Sequence, residues 1–451
     1  MKTLHTLLSL IFFCTTSLFA QQNNAGFITA DIDNFWIAYD KIINSKDSIE
    51  QYNYLNKLYL EKGTPGLKAI MEARNYTAKS YIDAINTYPL FWNSIRKNTL
   101  KAKSFAKGIA TDVAKMKKLY PELKPANVYF TIGALRTSGT TLNGMVLIGA
   151  ELVLTDSDTE TKELMATLPH LKAYFDSKPI QNTGFLNVHE YVHTQQKTTI
   201  ANNLLAQCTM EGVAEFLAVK ATGKTSPTPA IAYGKALAEK DLSGDKKGKT
   251  NEERINAAFS AQMFNASNGF WLYSNMQNQF EQRDLGYYVG YAICEKYYEK
   301  ASNKRLAIKE MIELDYNDSI ALAKFVDLSG YFSKPVETLR AEYNRNRPGV
   351  TGIKQLKNYA TDVDPAITQL TIEFSKPMNK RRTGFELGPS GESKLLFVKS
   401  VTGFPEDGKS VTIEIALLPG KEYEIIVSDR FTDVNSIALK PYLIKFKTAE
   451  K

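Results

Sequence analysis

The nine residues VHEYVHTQQ, Val188 to Gln196, hold two of the chain's four histidines around a glutamate. On a helix, residues four apart lie about 40° apart around the axis, so His189 and His193 project from one face and can share a metal ion. Glu190, next to the first histidine, is placed to take a proton from a water held there. A catalytic zinc takes three protein ligands and keeps a fourth position open. Downstream, CTMEGVAEFLA offers Glu211 and Glu215 on one face of an apolar helical segment, where two carboxylates are costly without a cationic partner. Amide hydrolysis also needs a donor for the developing oxyanion. Tyr287, Tyr288 and Tyr291, at the start of a helix in RDLGYYVGYAICEKYY, are candidates.

HExxH followed by a downstream glutamate in the context Glu-Gly-x-Ala resembles the gluzincin zinc metallopeptidases, and within them bacterial predicted zinc-dependent proteases. The resemblance implies a Zn2+ cofactor held by His189, His193 and Glu211, with Glu190 as general base and Glu215 orienting a ligand imidazole. The spacing from His193 to Glu211 is slightly tighter than in the best-known members, so Glu215 could exchange roles with Glu211. The Tyr-x-x-Gly element from Tyr287 to Gly290 is similar to that of the aminopeptidase N family, in which the tyrosine stabilises the tetrahedral intermediate. The aminopeptidase signature Gly-x-Met-Glu-Asn is absent, which favours an endopeptidase acting on peptide or protein substrates. Gluzincins pair substrate with an edge strand, and NGMVLIGAEL is the segment expected to supply it. Gln195 departs from the motif's usual apolar residue. His170 is expected to be a structural or surface histidine.

These residues need a scaffold, and the chain is long enough for two or three domains at 451 residues. Hydrophobic residues at 43% and charged residues at 23% exclude a disordered or fibrous chain. Residues 1–20, with Lys2, an apolar run from Leu7 to Phe13 and small residues before Ala20, read as a signal peptide. No later stretch approaches the roughly 18 apolar residues of a membrane span. The expected product is exported, periplasmic or secreted, without a transmembrane segment. In such a compartment Cys208 and Cys294 could pair, but their apolar helical surroundings favour buried free thiols. A net charge of +8 is spread over dispersed lysines with no nucleic-acid motif, so no nucleic-acid partner is expected.

Three- and four-residue apolar spacing predicts helices over 21–120, the amino-terminal part of the catalytic region. The zincin-like core is expected over 121–350. There, strands at Asn127 to Ile132, Met145 to Ile148 and Leu152 to Leu154 surround a turn at Ser138 to Thr141, and helices run from about Thr161 to Asn344. In the final part, LTIEF, VTIEI, YEIIV and YLIKF alternate with period two, and turns are expected at Asp407-Gly408 and Pro419-Gly420. VDPAITQLTIEFSKPMN resembles the bacterial Ig-like module, which implies a β-sandwich over 355–451 able to contact the cell surface or envelope. The fold class is therefore α+β: a mostly helical zincin-like metallopeptidase domain with a small sheet, followed by an all-β Ig-like sandwich. A second reading makes the chain a non-catalytic envelope or surface protein with a structural metal site.

Overall fold

The computed structural model describes residues 26–242 and 251–450; the expected signal peptide and the polar loop near Ser243 to Thr250 lie outside them. Helix makes up 47% and strand 13%, an α+β composition. Two apolar cores are built from separate parts of the chain: one draws on residues from Ile32 to Leu339, the other on residues from Val363 to Phe446.

In the first part, β1 (Phe27–Ile28), β2 (Val128–Thr131), β3 (Gly139–Leu142) and β4 (Met145–Gly149) form one sheet in the order β1-β2-β4-β3. β1, β2 and β4 run parallel and β3 returns antiparallel to β4. Three expectations change here. The Gly/Ser/Thr-rich stretch read as a turn is the edge strand β3. The apolar MVLIG, expected at the edge, is β4 and is paired on both sides, as its buried side chains require. The expected strand from Leu152 to Leu154 is replaced by a helical turn, Ala150–Val153, whose Glu151 accepts the Gly133 and Leu135 N–H groups.

Three helices carry the functional candidates. Thr183–His193 holds the HExxH stretch. Leu204–Thr222 starts at Asn203, whose side chain accepts the Ala206 N–H, and stops at Gly223 in the left-handed region at φ +71°. It is buried on nearly all sides, as expected of a helix packed between others. The third, Leu285–Lys300, crosses it where Gly212 meets Gly290. A Cβ on Gly290 would fall 1.7 Å from the Cys208 carbonyl oxygen, and one on Gly212 2.0 Å from the Gly290 carbonyl carbon. Backbone cannot yield there, so Gly290→Ala is expected to cost about 3 kcal/mol in chemical denaturation. An unchanged midpoint would contradict this packing. Both cysteines are buried and unpaired, as expected.

Within the region expected to be helical from Thr161 to Asn344, the longest helix-free stretch among the described residues follows Ser260. Ala261 to Asp284 contains no helix, and Tyr273, Glu281 and Asp284 lie in the left-handed region there.

Beyond it, β5 (Val350–Ile353), β6 (Gln369–Phe374), β7 (Phe385–Glu386), β8 (Ser400–Gly403), β9 (Ser410–Glu414), β10 (Glu422–Val427) and β11 (Tyr442–Lys447) make two sheets, ordered β5-β6-β9-β8 and β11-β10-β7. All pairs are antiparallel. Leu370, Ile372, Val411 and Ile413 of one sheet share a core with Ile425, Val427, Ile444 and Phe446 of the other, as period-two alternation demands. Gly408 and Gly420 adopt positive φ at the expected turns. No helix among the described residues is long and apolar enough to cross a membrane.

Candidate metal centre

The HExxH helix is fastened at its carboxy-terminal end to the segment that enters β2. Tyr191 Oη accepts the Ala126 N–H at 2.7 Å, and Gln195 accepts the Lys124 N–H at 2.7 Å while donating to the Lys124 carbonyl at 3.1 Å. Gln195, the residue that departs from the motif, is thus a clamp between helix and sheet.

On the opposite face of that helix the two histidines meet Glu211. His189 Nε2 and His193 Nε2 are 3.1 Å apart, and Glu211 Oε2 lies 3.2 Å from the first and 3.4 Å from the second. Ligand atoms about 2.1 Å from a common tetrahedral centre would be about 3.4 Å apart. The three donors therefore fit one small cation, and they are a set of two imidazoles and a carboxylate that zinc accepts.

Supporting groups fix which ring nitrogens face inward. His193 Nδ1 is 2.7 Å from Gln196 Oε1, and the Gln196 amide donates to the Met210 carbonyl at 2.9 Å and to Tyr316 Oη at 3.2 Å. With its amide so oriented, Gln196 presents its oxygen, so His193 carries its proton on Nδ1 and turns Nε2 to the centre. His189 Nδ1 faces Glu215 Oε1 at 3.5 Å, an electrostatic contact in which Nδ1 makes no formed hydrogen bond. Glu215 is held by the Ser226 and Thr228 hydroxyls at 2.6 and 2.7 Å. Of the two glutamates whose roles the sequence leaves open, Glu211 touches both inward nitrogens, and Glu215 stands behind His189.

Burial and mutual attraction compete in this cluster. His189, Glu190, Glu211 and Glu215 are all buried. Burial alone would lower His193, but the Glu211 charge and hydrogen bond raise it to about 9. His189 is raised for the same reason. Glu211 is held well below the usual carboxylate range, because the histidines outweigh its burial. Burial raises Glu190, against the pull of both histidines. Glu190 lies outside the donor set, pressed against the edge strand: a Cβ on Gly139 would sit 2.6 Å from its Oε1. Only glycine lets the β3 backbone approach that carboxylate so closely.

Of the three tyrosines, Tyr287 alone borders the cluster, with its ring 6.4 Å from that of His189. Tyr291 turns away to Lys235 and Glu295, and Tyr288 packs against Gly234. The segment after Ser260 adds Tyr273, which sequence reasoning did not single out. Trp271 anchors this segment in the core, and Tyr273, at φ +56°, donates its hydroxyl to Glu211 and sets its ring edge-on to that of Tyr287 at 6.2 Å. Gln196 had a signal, since it stands one turn after His193. Tyr273 had none, because a left-handed tyrosine in a loop follows no period. His170 is exposed at the start of its own helix and lies outside the cluster.

No family model matches the chain, and no curated protein matches it. Among solved structures, the S-layer protein SbsC is matched in its 31–844 form at 14% identity and TM-score 0.18, over 77% of this chain and 46% of that one. Its N-terminal part is matched at 12% identity and TM-score 0.18, over 76% and 78%. This chain thus spans less than half of the longer SbsC chain. Likeness at that level carries no argument about fold or function.

Proposed function

We propose that the protein is an exported zinc metallopeptidase of gluzincin type, with a zincin-like catalytic part and a carboxy-terminal Ig-like sandwich. The observation that carries this reading is the convergence of His189 Nε2, His193 Nε2 and Glu211 Oε2 on one point, with Glu190 beside it but outside the donor set. A structural site has no use for such a base. Zinc, when bound, would supply Lewis acidity to the scissile carbonyl and acidity to the attacking water. Glu190 takes the proton of that water and delivers it to the leaving amine. Its burial suits both halves of the task, because it raises the carboxyl's affinity for a proton. Tyr287 offers a hydroxyl donor to the developing oxyanion, while the neighbouring Tyr273 spends its own on Glu211. Gln196 and Glu215 keep the imidazoles in register. The open edge of β3 would pair with the peptide backbone and lay it along Glu190. The signal-like residues 1–20 support export, and the alternating strands followed by FSKPM support the Ig-like assignment.

The test is digestion of a mixed peptide library by the zinc-loaded protein, with and without chelator, together with elemental analysis. Chelator-sensitive cleavage with one zinc per chain is expected. Zinc-loaded protein that cuts no peptide would defeat the proposal.

A further inference from the structure

Arg74 ends the helix Pro65–Arg74 and extends its side chain to the start of β3. Its Nη2 lies 3.5 Å from the Gly139 carbonyl, a long contact to an oxygen that already accepts the Thr137 hydroxyl at 2.6 Å. Its Nε is buried and has no hydrogen-bond partner, and the Glu190 carboxylate, on which its charge acts, lies beyond ion-pair distance. The backbone beneath is fixed, since Arg136 donates to the Arg74 and Asn75 carbonyls at 3.0 and 2.9 Å. A partly buried guanidinium, rigidly based and short of acceptors, is a binding group awaiting an anion.

Its place along the edge strand says which anion. The Gly149 N–H bonds to the Ser138 carbonyl, so by antiparallel alternation Gly139 and Thr141 turn their backbone groups away from β4, toward the open edge. A peptide added to that edge in the more stable, antiparallel sense runs its carboxy-terminal half past Gly139. Glu190 is packed against the same glycine.

We propose that Arg74 receives a substrate carboxylate on the carboxy-terminal side of the cleaved bond. This rests on the peptidase reading and narrows it to peptides bearing an acid there, either the chain terminus or an Asp or Glu side chain. Both sources present the planar pair of oxygens that a guanidinium grips with two hydrogen bonds. If the terminus is the ligand, the enzyme trims carboxy-terminal ends and is not a general endopeptidase.

The experiment uses the zinc-loaded full chain and matched peptides of one sequence ending in carboxylate or amide, with and without an Asp near the end. Wild-type kcat/KM is expected to favour the acid-bearing member by about tenfold or more. In Arg74→Gln that ratio should collapse toward one, and in Arg74→Lys it should be partly kept. A terminal preference shows as carboxylate over amide, and a side-chain preference as Asp over its absence. Binding of the same peptides to Glu190→Gln, by fluorescence anisotropy, should show the same ratio and lose it when Arg74→Gln is added. Cleavage without acid preference, or an Arg74→Gln variant weakened equally on all peptides, would overturn the assignment and leave the peptidase reading standing. Acid-dependent binding lost in Arg74→Gln, without cleavage by the wild type, would uphold Arg74 and overturn the peptidase reading.

Discussion

Glu190→Gln is expected to retain one zinc per chain while kcat falls by about 10²–10⁴-fold or more. The side chain is outside the donor set, so its exchange leaves the three ligand atoms in place. Glutamine has nearly the same volume and should fill the same space against Gly139. What is lost is the ability to hold a proton, and burial around Glu190 favours that ability over charge. Elemental analysis and steady-state kinetics on one preparation separate the two effects. Full activity in the variant would sink the mechanism. The reading as a non-catalytic envelope protein expects no hydrolysis from either form.

Glu211→Gln should weaken zinc binding by far more than Glu215→Gln, for which a loss of about 10–100-fold is expected. Glu211 alone touches both inward nitrogens, whereas Glu215 acts through His189. The metal-free wild type also carries a pH signature. His193 rises from 6.5 to about 9 because Glu211 holds its protonated form. A raised histidine stabilises the metal-free fold fully below the unfolded value of 6.5, and this is lost as pH climbs through about 9. Zinc competes with that same proton, so its affinity should increase across the same window, with proton release on binding. In Glu211→Gln the histidine loses its anionic partner and the window moves down. Calorimetric titration in buffers of different ionisation enthalpy reads both quantities, and a pH-independent wild-type affinity would contradict the arrangement.

Much of the centre is legible in short spacings. His189 and His193 meet because an i, i+4 pair shares a helix face in any fold. Glu211 and Glu215 are visible as two acids in an apolar helix, although their order of contact depends on the angle at which two helices cross. The period-two strands after Pro348 pair as expected, since each buries alternate side chains.

The edge strand escapes the sequence pattern because GTTL lacks the apolar content of a buried strand, and an exposed edge needs none. MVLIG, richer in strand formers, goes to the interior for that reason. Tyr273 follows no repeat, and its left-handed backbone is tolerated because Trp271 and the Glu211 hydrogen bond hold it on either side. Donor types, and the helix faces that present them, are thus written in the chain itself, because they follow from local helical and strand periodicity. Which glutamate faces the histidines, which strand is left open, and that Arg74 from a distant helix reaches the start of that strand emerge with tertiary packing, because these depend on how the elements cross.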